Sequence, residues 1–410
     1  MPTLSSVSEK RPSALFLSPE SPYPIVGGGS LRSASLLTYL AQRFSVHAIV
    51  FRQPGDPDPR SSVPSGLVEK LDSIDLPYHS RNAAVRAARN SVRLIRNRPP
   101  LVDRFSGFEK ELVRLMAGRR YDFAILEHFW CAEYVEQIRP HASRVILDLH
   151  NIESMWHRTL AETESSTPAA ALRRFAKASL NLEHKWLPRF DNLLATSPND
   201  ALVVRRIVPT ANITIYPNAL PLIDAPCRTE RDEIVFSGNL EYAPNVKAVR
   251  FFNDRVWPVL KLRWPDLRWK IVGRNPDRIK QLIGGDSRID FTGAVDDALA
   301  ELVSAKVAVV PIQAGSGTRI KILEAWAAGV PVVSTTLGAE GLGAISGDHL
   351  LIADQAGEFA AAVTELLESP SRRQQVGLAG RELYEQQFTW PVVWRCLATI
   401  FGNDRAGELV

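Results

Sequence analysis

Short runs of β-branched and aromatic residues alternate with longer helical patterns along the whole 410-residue chain. Strands that alternate with helices form βαβ units, whose parallel sheets are covered by helices on both faces. The alternation therefore predicts an α/β protein with doubly wound parallel sheets. The predicted strands are residues 13–18, 45–51, 121–127, 144–150, 192–197, 213–217, 233–238, 268–273, 289–293, 305–311, 330–335 and 349–353.

The alternation restarts after residues 218–233, a Pro-rich polar stretch without periodicity that is predicted to be a linker. A chain of this length is also too long for one typical domain. Two doubly wound domains place a cleft between them, lined by the loops that follow the strands. The expected parts are a disordered tail (1–12), an N-terminal domain (13–222), a C-terminal domain (223–386) and a C-terminal helix that returns to the N-terminal domain (387–410).

Composition excludes several other classes of protein. The three cysteines are far apart in the sequence, which argues against a disulfide framework or a zinc site and fits a reducing cytosol. No apolar run approaches the ~18 residues that span a bilayer, and the polar N-terminus does not resemble a signal peptide. The net charge of +4 does not by itself indicate a nucleic-acid partner. A cytoplasmic protein is expected.

The most informative motif is GSGTRIKILEAWAAGVPVV, which follows a predicted strand and opens a helix. Gly315 and Gly317 permit close backbone approach just before a helix N-terminus, whose unpaired N–H groups favour phosphate. Arg319 and Lys321 add positive charge, and Glu324 one turn later can accept two ribose hydroxyls. The motif indicates a nucleoside diphosphate site. A solvated ion pair between Lys321 and Glu324 is the alternative reading of this spacing.

A second motif is the basic segment 81–104, which holds seven arginines and a single acid, Asp103. A basic amphipathic helix suits an anionic membrane surface. A surface helix whose apolar stripe packs on the core is the alternative, and it is slightly favoured. No aromatic residues accompany the charge, which argues against nucleic acid. The residues at helical spacing are Arg86, Arg89, Arg93 and Arg96, beside Val85, Ala88, Val92 and Ile95.

Eight motifs, in this order, carry a family resemblance: PIVGGGSLRS, LDLHNIES, FDNLLATSPNDALVV, IYPNAL, FSGNLEYAPNVKAVRFF, IVGRNP, FTGAVDD and GSGTRIKILEAWAAGVPVVSTTLGAEGL. They resemble retaining glycosyltransferases of the GT-B fold in family four (glycosyl transferases group 1), and bacterial exopolysaccharide sugar transferases most of all. The resemblance implies two Rossmann-like domains, the first binding an acceptor and the second a nucleotide sugar. It also implies sugar transfer to an acceptor hydroxyl with retention, in glycan or glycoconjugate synthesis.

In the C-terminal domain, the resemblance assigns Glu324 to the ribose hydroxyls. Relatives have another glutamate eight positions earlier that contacts the donor sugar, where this chain has Ser316. The loop after strand 233–238 offers Gly238 and Asn239 to the diphosphate, without the arginine of relatives. Arg319 and Lys321 of the later motif are expected to supply that positive charge. The donor-binding residues expected from this later motif are Gly315, Ser316, Gly317, Thr318 and Glu324.

Candidate residues also lie in three further loops, each of which follows a strand of the C-terminal domain. In relatives, the nucleotide base of the donor binds near the positions of Arg274 and Val295. Asp296 and Asp297 are an adjacent pair without the geometry of a metal cage, and Asp297 is predicted to be a helix N-cap. Glu340 either contacts the donor sugar or caps a turn, and both readings stay open.

In the N-terminal domain, Gly28 and Gly29 lack the GxGxxG spacing of a nicotinamide site. The resemblance implies that their backbone approaches the donor's distal phosphate or the acceptor. His150 ends a predicted strand, and in relatives this histidine contacts the donor sugar. Asp148 is expected to fix the loop geometry. The residues expected to carry catalysis are His150, Arg319 and Lys321.

The expected reaction needs no cofactor and no metal, since no DxD-like motif lies in a suitable loop. The co-substrate is a nucleoside diphosphate sugar, with UDP favoured over GDP and dTDP. The acceptor is a glycan, a lipid-linked saccharide or a small molecule, and the enzyme is cytoplasmic or peripheral at the inner membrane face. A sugar-nucleotide epimerase and a catalytically silent GT-B module that binds glycan or membrane are the two alternatives. Ser316 weakens the epimerase, and the absent glutamate and arginine keep the silent module open.

Overall fold

The computed structural model describes residues 11–80, 82–162, 166–295, 297–313 and 320–402. These residues form two compact units. The first takes in the described residues from 11 to 161, 166 to 196 and 200 to 215, and the second takes in the remainder, chiefly 216–402. The predicted tail at 1–12 lies almost wholly outside the described residues.

The first unit is built on a seven-stranded parallel sheet with the order β3-β2-β1-β4-β5-β6-β7. In its centre Phe16 pairs with Ala48 on one side and Ile125 on the other. Helices on both faces bury these strands. The strands are β1 (Ser13–Ser18), β2 (Ser45–Arg52), β3 (Lys70–Asp75), β4 (Tyr121–Glu127), β5 (Ala142–Leu149), β6 (Asn192–Ala195) and β7 (Ile213–Ile215).

The helices of the first unit connect these strands in sequence order. They are α1 (Gly28–Arg43), α2 (Ala83–Ile95), α3 (Pro100–Arg104), α4 (Glu109–Met116), α5 (Val135–Ile138), α6 (Glu153–Glu162), α7 (Ser166–Trp186) and α8 (Pro198–Ile207). Short 3₁₀ turns lie at Pro59–Ser61, Phe129–Tyr134, Arg139–His141 and Leu187–Arg189.

The second unit repeats this design with a six-stranded parallel sheet in the order β10-β9-β8-β11-β12-β13. Its strands are β8 (Arg231–Ser237), β9 (Arg268–Val272), β10 (Ile289–Gly293), β11 (Ala305–Val310), β12 (Val332–Ser334) and β13 (Leu351–Ile352). Its helices are α9 (Ala243–Phe251), α10 (Trp257–Arg263), α11 (Asp277–Ile283), α12 (Ala298–Leu302), α13 (Ile320–Ala327), α14 (Ala356–Glu368), α15 (Pro370–Gln387), α16 (Trp390–Trp394) and α17 (Ala398–Phe401). A π-helical turn at Phe252–Val256 joins α9 to α10, and a 3₁₀ turn at Arg395–Leu397 joins α16 to α17.

Strand order reverses once in each sheet, next to β1 in the first unit and next to β8 in the second. Ligands of open α/β sheets bind outside the carboxyl ends of the strands at such a switch point. Ligand-binding residues are therefore expected in the loops after β1, β4 and β5 of the first unit and after β8 and β11 of the second.

The predicted fold class is confirmed, and each predicted strand is present with its bounds within two residues of those predicted. One strand, β3, was not predicted, because its sequence KLDSID is mostly polar. This is a common property of a strand at the edge of a sheet. The predicted linker is largely free of regular structure, with none over residues 221–230.

Two other expectations concern single segments. The slightly favoured prediction for segment 81–104 is wrong, since the apolar stripe of Val85, Ala88, Val92 and Ile95 is exposed rather than packed on the core. The predicted C-terminal helix consists of short pieces, and Trp390 donates from Nε1 to the carbonyl of Ala219, 3.1 Å away, within the second unit. Its return to the first unit stays a prediction, and residues 403–410 lie outside the described residues. None of the helices in the described ranges is long and apolar enough to cross a bilayer.

Candidate functional site

Helix α13 directs its polar face at the carboxyl end of β8. The hydroxyl of Ser237, the last residue of β8, donates to Oε2 of Glu324 over 3.2 Å. Nζ of Lys321 donates to Oδ1 of Asn245 over 3.0 Å and lies 5.5 Å from the ring centroid of Phe236. The opposite face of the helix is apolar and fully buried, which fixes this orientation. The polar face therefore meets the loop after β8, at the switch point of the sheet.

That loop is held close to the helix by Asn245, near the start of α9. The Asn245 amide donates to the carbonyl of Asn239 over 2.9 Å while its oxygen accepts from Lys321. Gly238 has φ 153, and a Cβ atom there would lie 2.7 Å from Nδ2 of Asn245. A side chain at this position would therefore displace the asparagine. Gly238, Asn239, Lys321 and Glu324 are thus brought together, as the sequence predicts.

The neighbouring loops after β9 and β10 are tied to the same edge. A Cβ at Gly273, which has φ 157, would lie 1.9 Å from the carbonyl oxygen of Gly238, so this close approach requires glycine. Arg274 is exposed, and its carbonyl accepts from the backbone N–H of Leu240 over 3.2 Å. Val295 is half-buried. The predicted N-cap is confirmed, because the Asp297 carboxylate accepts from the N–H groups of residues 299 and 300.

Glu324 is half-buried at this edge. Burial raises the pKa of its carboxyl, while the charge of Lys321 and the Ser237 hydroxyl act in the opposite direction. Within the described part of the chain, its second oxygen, Oε1, accepts no hydrogen bond. A partly buried carboxylate with an uncommitted oxygen is a strong acceptor for hydroxyl donors.

The remaining predicted residues of the second unit are less fully described. Glu340 lies half-buried in the loop after β12. Asp296 lies outside the described residues, and so do Gly315, Ser316, Gly317, Thr318 and Arg319. Their predicted roles stay predictions.

In the first unit, His150 lies in a buried network of charges at the ends of β4 and β5. Its Nε2 is 2.7 Å from Oε2 of Glu127 and 3.3 Å from Oδ2 of Asp148. Arg32 of α1 donates two hydrogen bonds to Asp148, from Nε to Oδ2 at 2.8 Å and from Nη2 to Oδ1 at 2.5 Å. The Ser33 hydroxyl donates to Glu127 over 2.5 Å. The expectation that Asp148 fixes local geometry agrees with these bonds.

The protonation states of this network follow from its charges. Burial disfavours a charged imidazole, but hydrogen bonds and attraction from Asp148 and Glu127 raise the pKa of His150 to about 9. Burial, together with repulsion from Asp148, raises the pKa of Glu127. Burial also opposes ionisation of Asp148, yet Arg32 and His150 outweigh it and lower its pKa.

A second histidine, His128, stacks on His150 with ring centroids 3.5 Å apart, and on Trp130 at 4.2 Å. It has φ 61, a rare conformation for a non-glycine residue. Burial and the charge of His150 lower its pKa well below the usual range, so the ring is neutral. An added Cβ at Gly29, the second residue of α1, would lie 3.9 Å from its Nε2. Gly28 begins the same helix, so the predicted glycine loop and His150 converge on one edge.

Glu127, Asp148 and His150 offer ligand atoms within 4.8 Å of one another, which is close enough to hold a metal ion. Arg32 already neutralises Asp148 through two bonds, however, and Nε2 of His150 bonds Glu127. An ion would have to displace both contacts. The donor set therefore fits an internal charge network better than a metal centre.

Sequence reasoning missed Arg32, Glu127, His128 and Asn245. An arginine inside the apolar helix sequence SLRSASLLTYL, and the acid and histidine that end the strand YDFAILEH, are the signals that could have pointed to three of them. Asn245 carries no such signal, because its role depends on the loop that precedes α9.

Comparison with known proteins agrees with this architecture. Sucrose-phosphate synthase from Thermosynechococcus elongatus has a TM-score of 0.72 at 18% identity, covering 96% of this chain and 98% of that chain. A mutant of S. aureus TarM in complex with Fondaparinux, alpha-GlcNAc-glycerol and UDP has a TM-score of 0.68 at 9% identity, covering 96% and 100%. These structural similarities show that the fold is that of GT-B glycosyltransferases.

Part of the sequence also matches a family model. Residues 231–369, which contain the α13 site, match the model of the family Glycosyl transferases group 1. An uncharacterized 44.6 kDa protein in the cps region of Klebsiella pneumoniae is 22% identical over 260 residues, which are 61% of this chain and 66% of that protein. The match thus spans slightly less than two thirds of this relative.

Proposed function

We propose that the chain transfers a hexose from a nucleoside diphosphate donor to an acceptor hydroxyl. The observation that carries the proposal is the polar face of α13, with Lys321 and Glu324 held against the loop after β8. This face lies within the segment that matches the glycosyltransferase family. UDP is the favoured nucleotide, supported by the TarM structure in complex with UDP.

The proposed chemistry follows from the two side chains. Oε1 of Glu324 accepts the ribose hydroxyls, because it has no partner among the described residues. Lys321 stabilises the negative charge that develops on the departing diphosphate. Preorganised charge of this kind is usually the largest catalytic contribution. The backbone of Gly238 and Asn239 approaches the same phosphates.

His150 is proposed to contact the donor sugar from the first unit. Its Nε2 is occupied by Glu127, and among the described residues no hydrogen bond uses Nδ1. A protonated ring therefore offers an N–H group to a sugar hydroxyl or a phosphate oxygen. We further propose transfer with retention to a glycan, a lipid-linked saccharide or a small molecule. The relative from the Klebsiella cps region supports a glycan product, and the free cysteines fit a cytoplasmic location.

The test is release of UDP from a panel of UDP-hexoses, with and without glycan acceptors. Slow donor hydrolysis makes the measurement informative even before the acceptor is identified. Native protein and Glu382→Ala, which changes an exposed glutamate of α15, are expected to release UDP at equal rates. Glu324→Ala is expected to lose most of this release at low donor concentration.

Two other outcomes would replace the proposal. UDP binding without hydrolysis or transfer would identify a catalytically silent module. Conversion of the donor sugar without release of UDP would identify a sugar-nucleotide epimerase.

A further inference from the structure

Most of the apolar side chains of helix α2 face solvent. Val85, Val92 and Ile95 are 49%, 45% and 76% exposed. At seven- and ten-residue spacing these three side chains share one face of the helix. A surface helix of a globular protein normally buries such a stripe against the core. The amphipathic pattern of α2 is therefore directed outwards.

Another face of α2 attaches to the first unit by polar contacts. Arg93 is buried, and its Nε donates to Oδ2 of Asp103 over 2.7 Å while Nη1 donates to Asn90 over 3.2 Å. Nε of Arg174, on α7, donates to the backbone carbonyl of Leu94 over 3.0 Å. These bonds fix which face of the helix is exposed.

Positive charge flanks the exposed stripe. Arg86 and Arg96 are exposed, and their guanidinium groups form no ion pair or hydrogen bond with any residue that the structure describes. The helix contains no acid, and the nearest acids along the chain, Asp75 and Asp103, are paired with Arg52 and Arg93. Tyr78, just before the helix, is 75% exposed. Its amphipathic ring is of the kind that is enriched where membranes meet water.

We propose that α2 lies on an anionic lipid surface. The apolar stripe enters the boundary between head groups and acyl chains, and Arg86 and Arg96 contact lipid phosphates. Apolar burial and attraction to anionic lipid together provide the binding of interfacial helices. The uncompensated arginines favour lipid over a second copy of this chain, whose α2 would bring the same charges into contact. The proposal concerns the first unit and stands whether or not the chain transfers sugars.

The experiment is flotation of the full-length protein with vesicles, either pure phosphatidylcholine or containing about 30 mol% phosphatidylglycerol. We expect binding to the anionic vesicles only, weakened by added salt. The double variant Arg86→Gln/Arg96→Gln is expected to lower binding roughly tenfold or more, since each surface charge contributes separately. Val92→Ser/Ile95→Ser removes the apolar contribution and is also expected to reduce binding.

Matched controls exist on two other helices. Val259 and Leu262 of α10 have the same three-residue spacing and are 54% and 84% exposed, so Val259→Ser/Leu262→Ser controls for lost surface apolarity. Arg205→Gln/Arg206→Gln on α8 controls for lost charge, and neither control is expected to alter flotation. Equal binding by all variants, or no binding to anionic vesicles, overturns the proposal. Loss of a dimer in Val92→Ser/Ile95→Ser with unchanged flotation identifies a second copy as the occupant and also overturns it.

Discussion

The buried network around His150 allows a prediction from a single substitution, Arg32→Met. This change keeps most of the side-chain volume but removes the two bonds that neutralise Asp148. The side chains of Arg32 and Asp148 are 1% and 0% exposed, so water cannot replace the lost partner. Removing one partner of a buried ion pair typically costs about 3–5 kcal/mol of unfolding free energy. We expect a loss of that size at neutral pH.

The loss should depend on pH in a definite direction. In the native protein the folded pKa of Asp148 is lowered, so its ion pair stabilises the fold above the unfolded pKa of about 4. In Arg32→Met the unpaired Asp148 gains stability by binding a proton, and its folded pKa rises. The difference between native protein and variant is therefore largest at pH 8 and smaller at pH 5.

Urea unfolding at both pH values measures this difference, and the chain provides a matched control. Arg52 grips Asp75 with the same two-bond geometry, at 2.6 and 2.8 Å, but these side chains are 30% and 64% exposed. Arg52→Met should lose little stability at either pH, since water screens surface pairs. Equal losses in the two variants, or a loss in Arg32→Met that does not vary with pH, would refute the reasoning.

Three further predictions concern Glu324, Glu153 and His150. Glu324→Ala should leave the free energy of unfolding unchanged or higher, because alanine favours the helix and replaces a half-buried carboxylate whose pKa is raised by burial. A loss above about 1 kcal/mol would indicate a structural role. Burial, with a smaller contribution from Glu183, raises the pKa of Glu153 to about 7. The native stability should therefore fall as pH rises from about 4.3 to 7, by on the order of 3 kcal/mol. Glu153→Gln should flatten that slope in urea titrations, and an unchanged slope would contradict the assignment. Sugar transfer by the native protein should decline above pH 9 as His150 loses its proton. A rate profile of His150→Gln that keeps this decline would assign it to another group.

Much of the fold is predictable from local pattern. A strand such as SALFLS is apolar throughout because both faces of a parallel sheet are covered, and this leaves a clear signal. β3 has no such signal, since an edge strand is only partly covered. The direction of α2 is not predictable either. The same spacing of apolar residues describes a stripe that faces the core and one that faces solvent, and the Arg93–Asp103 pair decides between them.

The residues of the candidate site also differ in how far the sequence predicts them. Lys321 and Glu324 are predictable because a glycine-rich turn, a helix start and their spacing lie within one short segment. The network around His150 is assembled from α1, β4 and β5, and 116 residues separate Arg32 from Asp148 along the chain. A sequence pattern gives the chemistry of each residue but not which distant partners it meets.

The most direct test of the central claim is calorimetric titration of the native protein with UDP, GDP and dTDP. The α13 site predicts selective binding of one nucleotide, with UDP expected. Two hydrogen bonds to a charged acceptor contribute about 3 kcal/mol or more, so Glu324→Ala should weaken binding roughly 100-fold. Glu382→Ala should leave the affinity unchanged. Failure of all three nucleotides to bind, or UDP binding that Glu324→Ala does not weaken, would contradict the account.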